Sequence, residues 1–281
     1  MGANFTMANG FKEKRISNWQ ALCEDFETYP TKPAWVFRGQ RCESWGLKAG
    51  IERQRCLFNV KREDLPEYEW KIVREFRRRA HIYISNPPDD DDTVEWLALL
   101  QHHGGPTRLL DFTYSPFVAT FFALEEADGD AAVWAIDIDW FHGRAAELVG
   151  LKKGGRIFHR FHSARDGDSF RKVFWLPPRC RFVAGVQPMR LNQRLAAQQG
   201  TFLCQGDITV SFDENVQFAG DTSEKVKKIV IPRVCRTKIL GRLRKMNIER
   251  TTLFPGLDGF TRSLNTRLKE IGEMRVVGQH W

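Results

Sequence analysis

The sequence contains no run of about 18 apolar residues, so nothing in it reads as a membrane-spanning helix. Its N-terminal stretch, MGANFTMANGFKEKRISNW, lacks the apolar core of a secretory signal. The expected location is the cytoplasm. The six cysteines, Cys23, Cys42, Cys56, Cys180, Cys204 and Cys235, form no Cys-x-x-Cys pair. Their spacing suits neither a zinc cluster nor a disulfide framework, and free thiols in a reducing compartment are expected. No Gly-x-Gly-x-x-Gly or Walker loop opens a helix after a strand, which argues against dinucleotide-fold oxidoreductases and P-loop enzymes. There is no internal repeat, and the one biased segment is the acidic loop NPPDDDD at 86–92.

What is present is enough for a folded core. The chain has 281 residues, of which 42% are hydrophobic, a balance that excludes global disorder. The formal net charge of +8 is compatible with a polyanionic partner such as RNA or DNA. Apolar periodicity predicts helices from Asn18, from Asp64 or Leu65, from Thr93, over 117–124, over 237–246 and over 260–271. Strands are expected at 34–38, 107–110, 131–138, 182–187, 200–204 and 228–231. Residues 41–63 and 150–180 read as irregular. Strands scattered among helices, without regular strand–helix–strand alternation, predict an α+β fold with a mixed or split sheet. The expected division is an N-terminal helical segment over 1–33, a domain over 34–265 and a tail over 266–281.

Two stretches carry the chemistry. In WVFRGQ at 35–40, an Arg leaves a strand at a Gly, placed to meet an anion bidentately. A surface Arg at a strand end is the competing reading. The second stretch is QHHGGPTRLLDFTYSPFVATFFALE at 101–125. Gly104-Gly105-Pro106 forces a turn, Ser115-Pro116 is a good helix start, and the following helix is apolar on every side. Asp111 is either a site carboxylate or a structural partner, through a pair with Arg108 or a helix cap. His102 and His103 are adjacent, so on a helix their side chains point about 100° apart. With no third ligand at suitable spacing, a metal site is not expected. The basic helix carrying Arg74, Arg77, Arg78 and Arg79 is either a solvated face or a phosphate-backbone contact.

Together these residues resemble the FRG-domain family. The triplet Phe37-Arg38-Gly39 matches the motif that names it. Gln101 to Ala123 matches a second, long signature, and Gln198-Gln199-Gly200-Thr201-Phe202 and Leu253–Gly259 match weaker third and fourth features. The pattern is in turn similar to the ADP-ribosyltransferase fold, in the branch with an Arg-Ser-Glu signature. Arg38-Gly39 match its first strand, and Thr107 with the helix 117–123 its second. The third strand opens with Gln198-Gln199, where the family pattern has Glu.

The resemblance implies an NAD-dependent ADP-ribosyltransferase that modifies nucleic acid or protein, as a bacterial toxin or phage-defence effector with a neutralising antitoxin. Arg38, Gln198 and Asp111 would be catalytic. Phe37, Gly39, Gln101, His102, Thr107 and Arg108 would bind NAD. A non-catalytic nucleotide- or nucleic-acid-binding module is the alternative, motivated by the missing Glu. A nuclease using His102 or His103 is a third reading.

Overall fold

The computed structural model describes residues 6–8, 11–32, 34–150 and 170–276. An eight-stranded sheet lies at its centre. The strands are β1 (Thr6–Ala8), β2 (Phe11–Arg15), β3 (Trp35–Gln40), β4 (Leu109–Thr113), β5 (Ala131–Asp137), β6 (Val183–Val186), β7 (Gly200–Gln205) and β8 (Val226–Ile231). Their order across the sheet is β1-β2-β8-β5-β3-β4-β7-β6. Every neighbouring pair is antiparallel except β2 with β8, which is parallel. The sheet is therefore mixed and the architecture α+β, as the pattern of elements predicts.

The helices are α1 (Trp19–Glu27), α2 (Gly50–Phe58), α3 (Leu65–Ala80), α4 (Thr93–His102), α5 (Pro116–Leu124), α6 (Ile138–Leu148), α7 (Gln193–Ala197), α8 (Phe212–Phe218), α9 (Arg236–Lys245), α10 (Arg250–Leu253) and α11 (Leu257–Val276). They cover both faces of the sheet. The two-residue period of β5 shows how. Ala131, Val133 and Ala135 face a core with Leu22 of α1, Val118 of α5 and Ile239 of α9. Trp134 and Ile136 face Ile51 of α2, Phe141 of α6 and Val216 of α8. All seven residues of β5 are buried, which is why its sequence does not alternate with polar residues. A third apolar cluster, with Val73 of α3 and Leu97 of α4, closes over Leu109, Phe202 and Cys204 at the other end of the sheet.

Local chemistry sets the helix starts. The Asn18 side chain accepts from the Ala21 N–H at 3.0 Å, and Ser115 Oγ accepts from the Val118 N–H at 3.2 Å with Pro116 in the first turn. Ser115 is thus a helix cap. Asp92, not Thr93, caps α4 by accepting from the Glu95 N–H at 2.9 Å.

Several elements differ from the sequence expectation. The segment before residue 34 is not only helical, because β1 and β2 extend the sheet from its β8 edge. Residues 50–58 form a helix where an irregular connection was expected. The second motif strand runs over Leu109–Thr113 rather than 107–110. The Arg108 N–H is taken by Glu69 Oε1 at 3.1 Å, so the β4–β7 ladder begins only at Leu109 opposite Cys204. Helix α11 continues to Val276, past the residue where a tail was placed. Residues 151–169, most of the expected irregular stretch, lie outside the described residues.

Candidate functional site

Strands β3 and β4 are neighbours that barely touch. β3 pairs with β5 over six positions and β4 with β7 over five. Between β3 and β4 a single pair forms, Phe37 opposite Thr113. Past that pair the strands part, and Arg38-Gly39 and Asp111-Phe112 line the opening. Arg38 Nη1 donates to the main-chain oxygen of Asp111 at 2.7 Å, and lies 3.9 Å from Asp111 Oδ2. A side-chain donor thus takes an acceptor that no β3 amide reaches. Arg38 Nε is buried with no hydrogen-bond partner. Burial pulls the Arg38 pKa down to about 10, with Asp111 opposing the shift and Arg53 adding to it. The guanidinium is still a cation at neutral pH.

Gly39 does not mark a sharp exit, since β3 continues through Gln40. It is required by close approach. A Cβ there would lie 1.9 Å from Ala119 O and 2.5 Å from Ala123 N, so α5 crosses β3 where there is no side chain. That contact seats the apolar motif helix beside the opening and brings Phe122 to its wall.

Asp111 presents its carboxylate outward, with 62% of the side chain exposed. One oxygen is fixed, because Gln101 Nε2 donates to Oδ1 at 2.8 Å. Gln101 is itself oriented, because the buried Thr107 hydroxyl donates to its Oε1. With its oxygen occupied by Thr107, the amide of Gln101 turns its NH₂ to Asp111. Gly104, at φ 84°, ends α4 and returns its N–H to Gln101 O at 2.9 Å.

The opening leads into a cavity of about 220 Å³ lined by Arg38, Asp111, Thr113, Phe122, Gln198 and Phe254 among others. Gln198 ends α7 just before β7. Its main-chain oxygen accepts from Thr113 Oγ1 at 2.7 Å, and its Nε2 donates to Leu253 O at 3.0 Å. Two guanidinium groups approach the Phe254 ring, Arg194 at 4.5 Å and Arg250 at 4.7 Å from its centre. Burial lowers the pKa of Arg194, while Asp111 opposes that shift. A smaller adjoining hollow brings in Gln101 and His102. Burial, then the neighbouring His103 and Arg194, depress the His102 pKa, so its ring is neutral at neutral pH.

Residues 33–131 match the FRG domain. The match spans both motif stretches and so contains Phe37, Arg38, Gly39, Gln101, His102, Thr107, Arg108 and Asp111. Gln198 and the Leu253–Gly259 stretch lie beyond the FRG-matched residues. No curated protein and no solved structure matches the chain.

Of the site residues expected from sequence, the fold brings Arg38, Asp111 and Gln198 to one cavity, with Gln101 and His102 alongside. Thr107 acts one step back, through Gln101. Phe37 touches the cavity but packs mainly into the core, edge-on to Phe26 and Tyr29. Arg108 must be reassigned. It is fully buried, and its Nε donates to Glu69 Oε2 at 2.7 Å and its Nη1 to Phe174 O at 2.7 Å. It pairs with neither Asp111 nor the cavity, and it cannot reach a ligand there.

Four wall residues were not foreseen: Thr113, Phe122, Arg194 and Phe254. Thr113 and Phe122 stand inside the long motif and Phe254 inside the Leu253–Gly259 stretch, and that membership was the available signal. Arg194 carries no signal, because only the folded corner brings it near Asp111. Among the described residues no group of three or more His, Cys, Asp or Glu could hold a metal ion.

Proposed function

We propose that this cleft binds NAD and that the protein is an ADP-ribosyltransferase acting on nucleic acid or protein. One observation carries the reading. The stretches that resemble the Arg, Ser/Thr and late-strand signatures of that fold run into or along adjacent strands, β3, β4 and β7, and they bring Arg38, Asp111 and Gln198 to one cavity, with Thr107 one step behind through Gln101.

The chemistry asked of such a site is modest in covalent terms. The bond between the ribose C1′ and nicotinamide breaks, nicotinamide departs with the electron pair, and the acceptor atom bonds to C1′ and releases its proton. Positioning and electrostatics supply most of the acceleration. Arg38 is a cation on the cavity wall, held by its Nη1 bond to the Asp111 main-chain oxygen, and suited to a phosphate or carboxamide oxygen. Asp111 is an exposed carboxylate held by Gln101, suited to support positive charge developing on the ribose. Phe122 and Phe254 offer apolar ring faces. Gln198 can orient a hydroxyl but carries no charge.

A non-catalytic nucleotide-binding module is the second reading. It is favoured by the absence of a Glu at the β7 corner and by the engagement of the Gln198 amide with Leu253 O. Incubation of the folded protein with labelled NAD and RNA, DNA or cell lysate separates the two. Label transfer or nicotinamide release supports the enzyme. NAD binding without turnover supports the module. The toxin setting implied by the family resemblance is tested by growth of bacteria expressing the parent and the Arg38→Ala variant.

A further inference from the structure

Beside the reacting cavity, and sharing Arg38, Gly39 and Phe122 with it, is a larger chamber of about 450 Å³. We infer that this chamber is a nucleotide subsite, taking a base on Trp45 and its phosphates on Lys48 and Arg53. The inference rests on the nucleotide-transfer reading only for what lies next door. Its own support is the chamber wall.

Trp45 is 47% exposed, unusual for a large ring facing a concave wall, and the Arg41 guanidinium lies 5.3 Å from its ring centre. Such a ring with a cation beside it is a stacking platform for a base. Lys48 and Arg53 are exposed and form no ion pair among the described residues. Arg53 Nη1 donates to the Lys48 main-chain oxygen at 2.5 Å, which holds the Arg53 guanidinium beside the backbone of Lys48 on the chamber wall. The carboxylates of the same chamber are already engaged. Arg250 Nη2 donates to Glu125 Oε2 at 2.6 Å and lies 3.3 Å from Glu126, which Arg41 also approaches at 3.8 Å. The chamber therefore keeps two exposed cations outside any ion pair among the described residues, and an open aromatic face. That combination recognises a nucleoside diphosphate moiety.

Two sources offer this chemistry, the ADP half of NAD and a nucleotide of a single-stranded acceptor. Titration calorimetry of the full chain with ADP, inorganic pyrophosphate and a short single-stranded oligonucleotide tests the subsite. ADP should bind. Lys48→Gln with Arg53→Gln should weaken ADP and pyrophosphate tenfold or more. Trp45→Ala should weaken ADP and leave pyrophosphate unchanged. Displacement of ADP by NAD assigns the subsite to the donor, and displacement by the oligonucleotide but not NAD assigns it to the acceptor; both uphold it. No ADP binding to folded protein, or equal ADP affinity in parent and double variant, overturns it. ADP binding without NAD turnover would leave the subsite standing and remove the transferase reading. NAD turnover with ADP affinity indifferent to Lys48 and Arg53 would do the reverse.

Discussion

Arg38 reaches across the gap between β3 and β4 and donates to the main-chain oxygen of Asp111 at 2.7 Å. The two strands share only the pair Phe37–Thr113, so this bond spans the mouth of the cleft. Arg38→Ala should therefore cost little stability, about 1 kcal/mol for one hydrogen bond to an accessible acceptor, yet remove nucleotide binding. Arg38→Lys should not rescue it, because an ammonium cannot hold the Asp111 oxygen and offer a second N–H in the guanidinium plane. NAD titration alongside urea unfolding checks both. Full binding by either folded variant would remove Arg38 from the site.

The Arg108 prediction reverses the balance, with a large stability cost and no direct loss of binding. Arg108 and Glu69 form a fully buried ion pair, with Trp175 Nε1 also donating to Glu69 at 2.9 Å. Arg108→Ala strands the carboxylate and should cost about 3–5 kcal/mol. Replacing both charges while keeping an acceptor for the residue-108 N–H and for Trp175 Nε1, Arg108→Met with Glu69→Gln, should recover part of that loss. The readout is chemical denaturation, with activity recovering only as the fold does. A stable Arg108→Ala protein that fails only in NAD binding would restore the sequence expectation.

These two arginines mark what the sequence could and could not reveal. Arg38 and Asp111 were legible because each stands in a motif whose mixture of Arg, Gly, Asp and Pro a purely apolar core does not need. Arg108 stands in the same motif, but its partner lies 39 positions earlier on α3, and no local spacing points there. β2 was missed because FKEKR has one apolar residue and its ladder partner β8 is more than 200 positions away. α2 was missed because part of its support is long-range. Its buried Glu52 pairs with Arg62 at 3.2 Å and accepts from the Phe212 N–H at 3.3 Å. The buried strands β5 and β8 were legible from their continuous apolar runs.

Gly39→Ala should fail through packing rather than chemistry. The new methyl would meet the Ala119 oxygen and the Ala123 nitrogen of α5, both backbone atoms that cannot swing aside. Overpacking of this kind costs about 1–3 kcal/mol or more. The expected result is a lowered Tm with loss of nucleotide binding in proportion. An unchanged Tm would show that close approach of α5 does not require glycine at this position.

Asp213 gives a pH prediction. Its Oδ1 accepts from the Leu47 N–H at 3.1 Å, pinning the loop that carries Trp45 and Lys48. Burial pushes its pKa up to about 6, with Glu52 and Glu214 adding and Leu47 and Lys48 opposing. A carboxyl raised on folding binds its proton more tightly in the folded state. Its contribution is therefore greatest below the ordinary carboxylate value near 4 and is lost as pH rises through about 6. Asp213→Asn keeps an acceptor for Leu47 and cannot ionise. Relative to the parent it should gain in Tm between pH 4 and pH 7, with the difference level above that. Asp92, also raised to about 6 by burial, titrates in both proteins and cancels. A difference in Tm that does not change with pH would refute the assignment.

The sharpest question is which group supports the charge that develops on the ribose. At the β7 corner the Gln198 amide donates to Leu253 O. Gln198→Glu would set a carboxylate against that carbonyl and lose the bond, so it should not raise turnover and should loosen the corner. Asp111 already offers a carboxylate at the cavity, oriented by Gln101 and Thr107. Asp111→Asn keeps the shape, stays folded because the side chain is exposed, and removes the charge. It should lower the rate of nicotinamide release about 10²–10³-fold with little change in NAD affinity. Gln101→Ala, which frees the same carboxylate to rotate, should give a smaller loss in the same direction. If Gln198→Glu instead accelerates the reaction while Asp111→Asn leaves it unchanged, the charge belongs at the corner, and Asp111 serves only to hold Arg38.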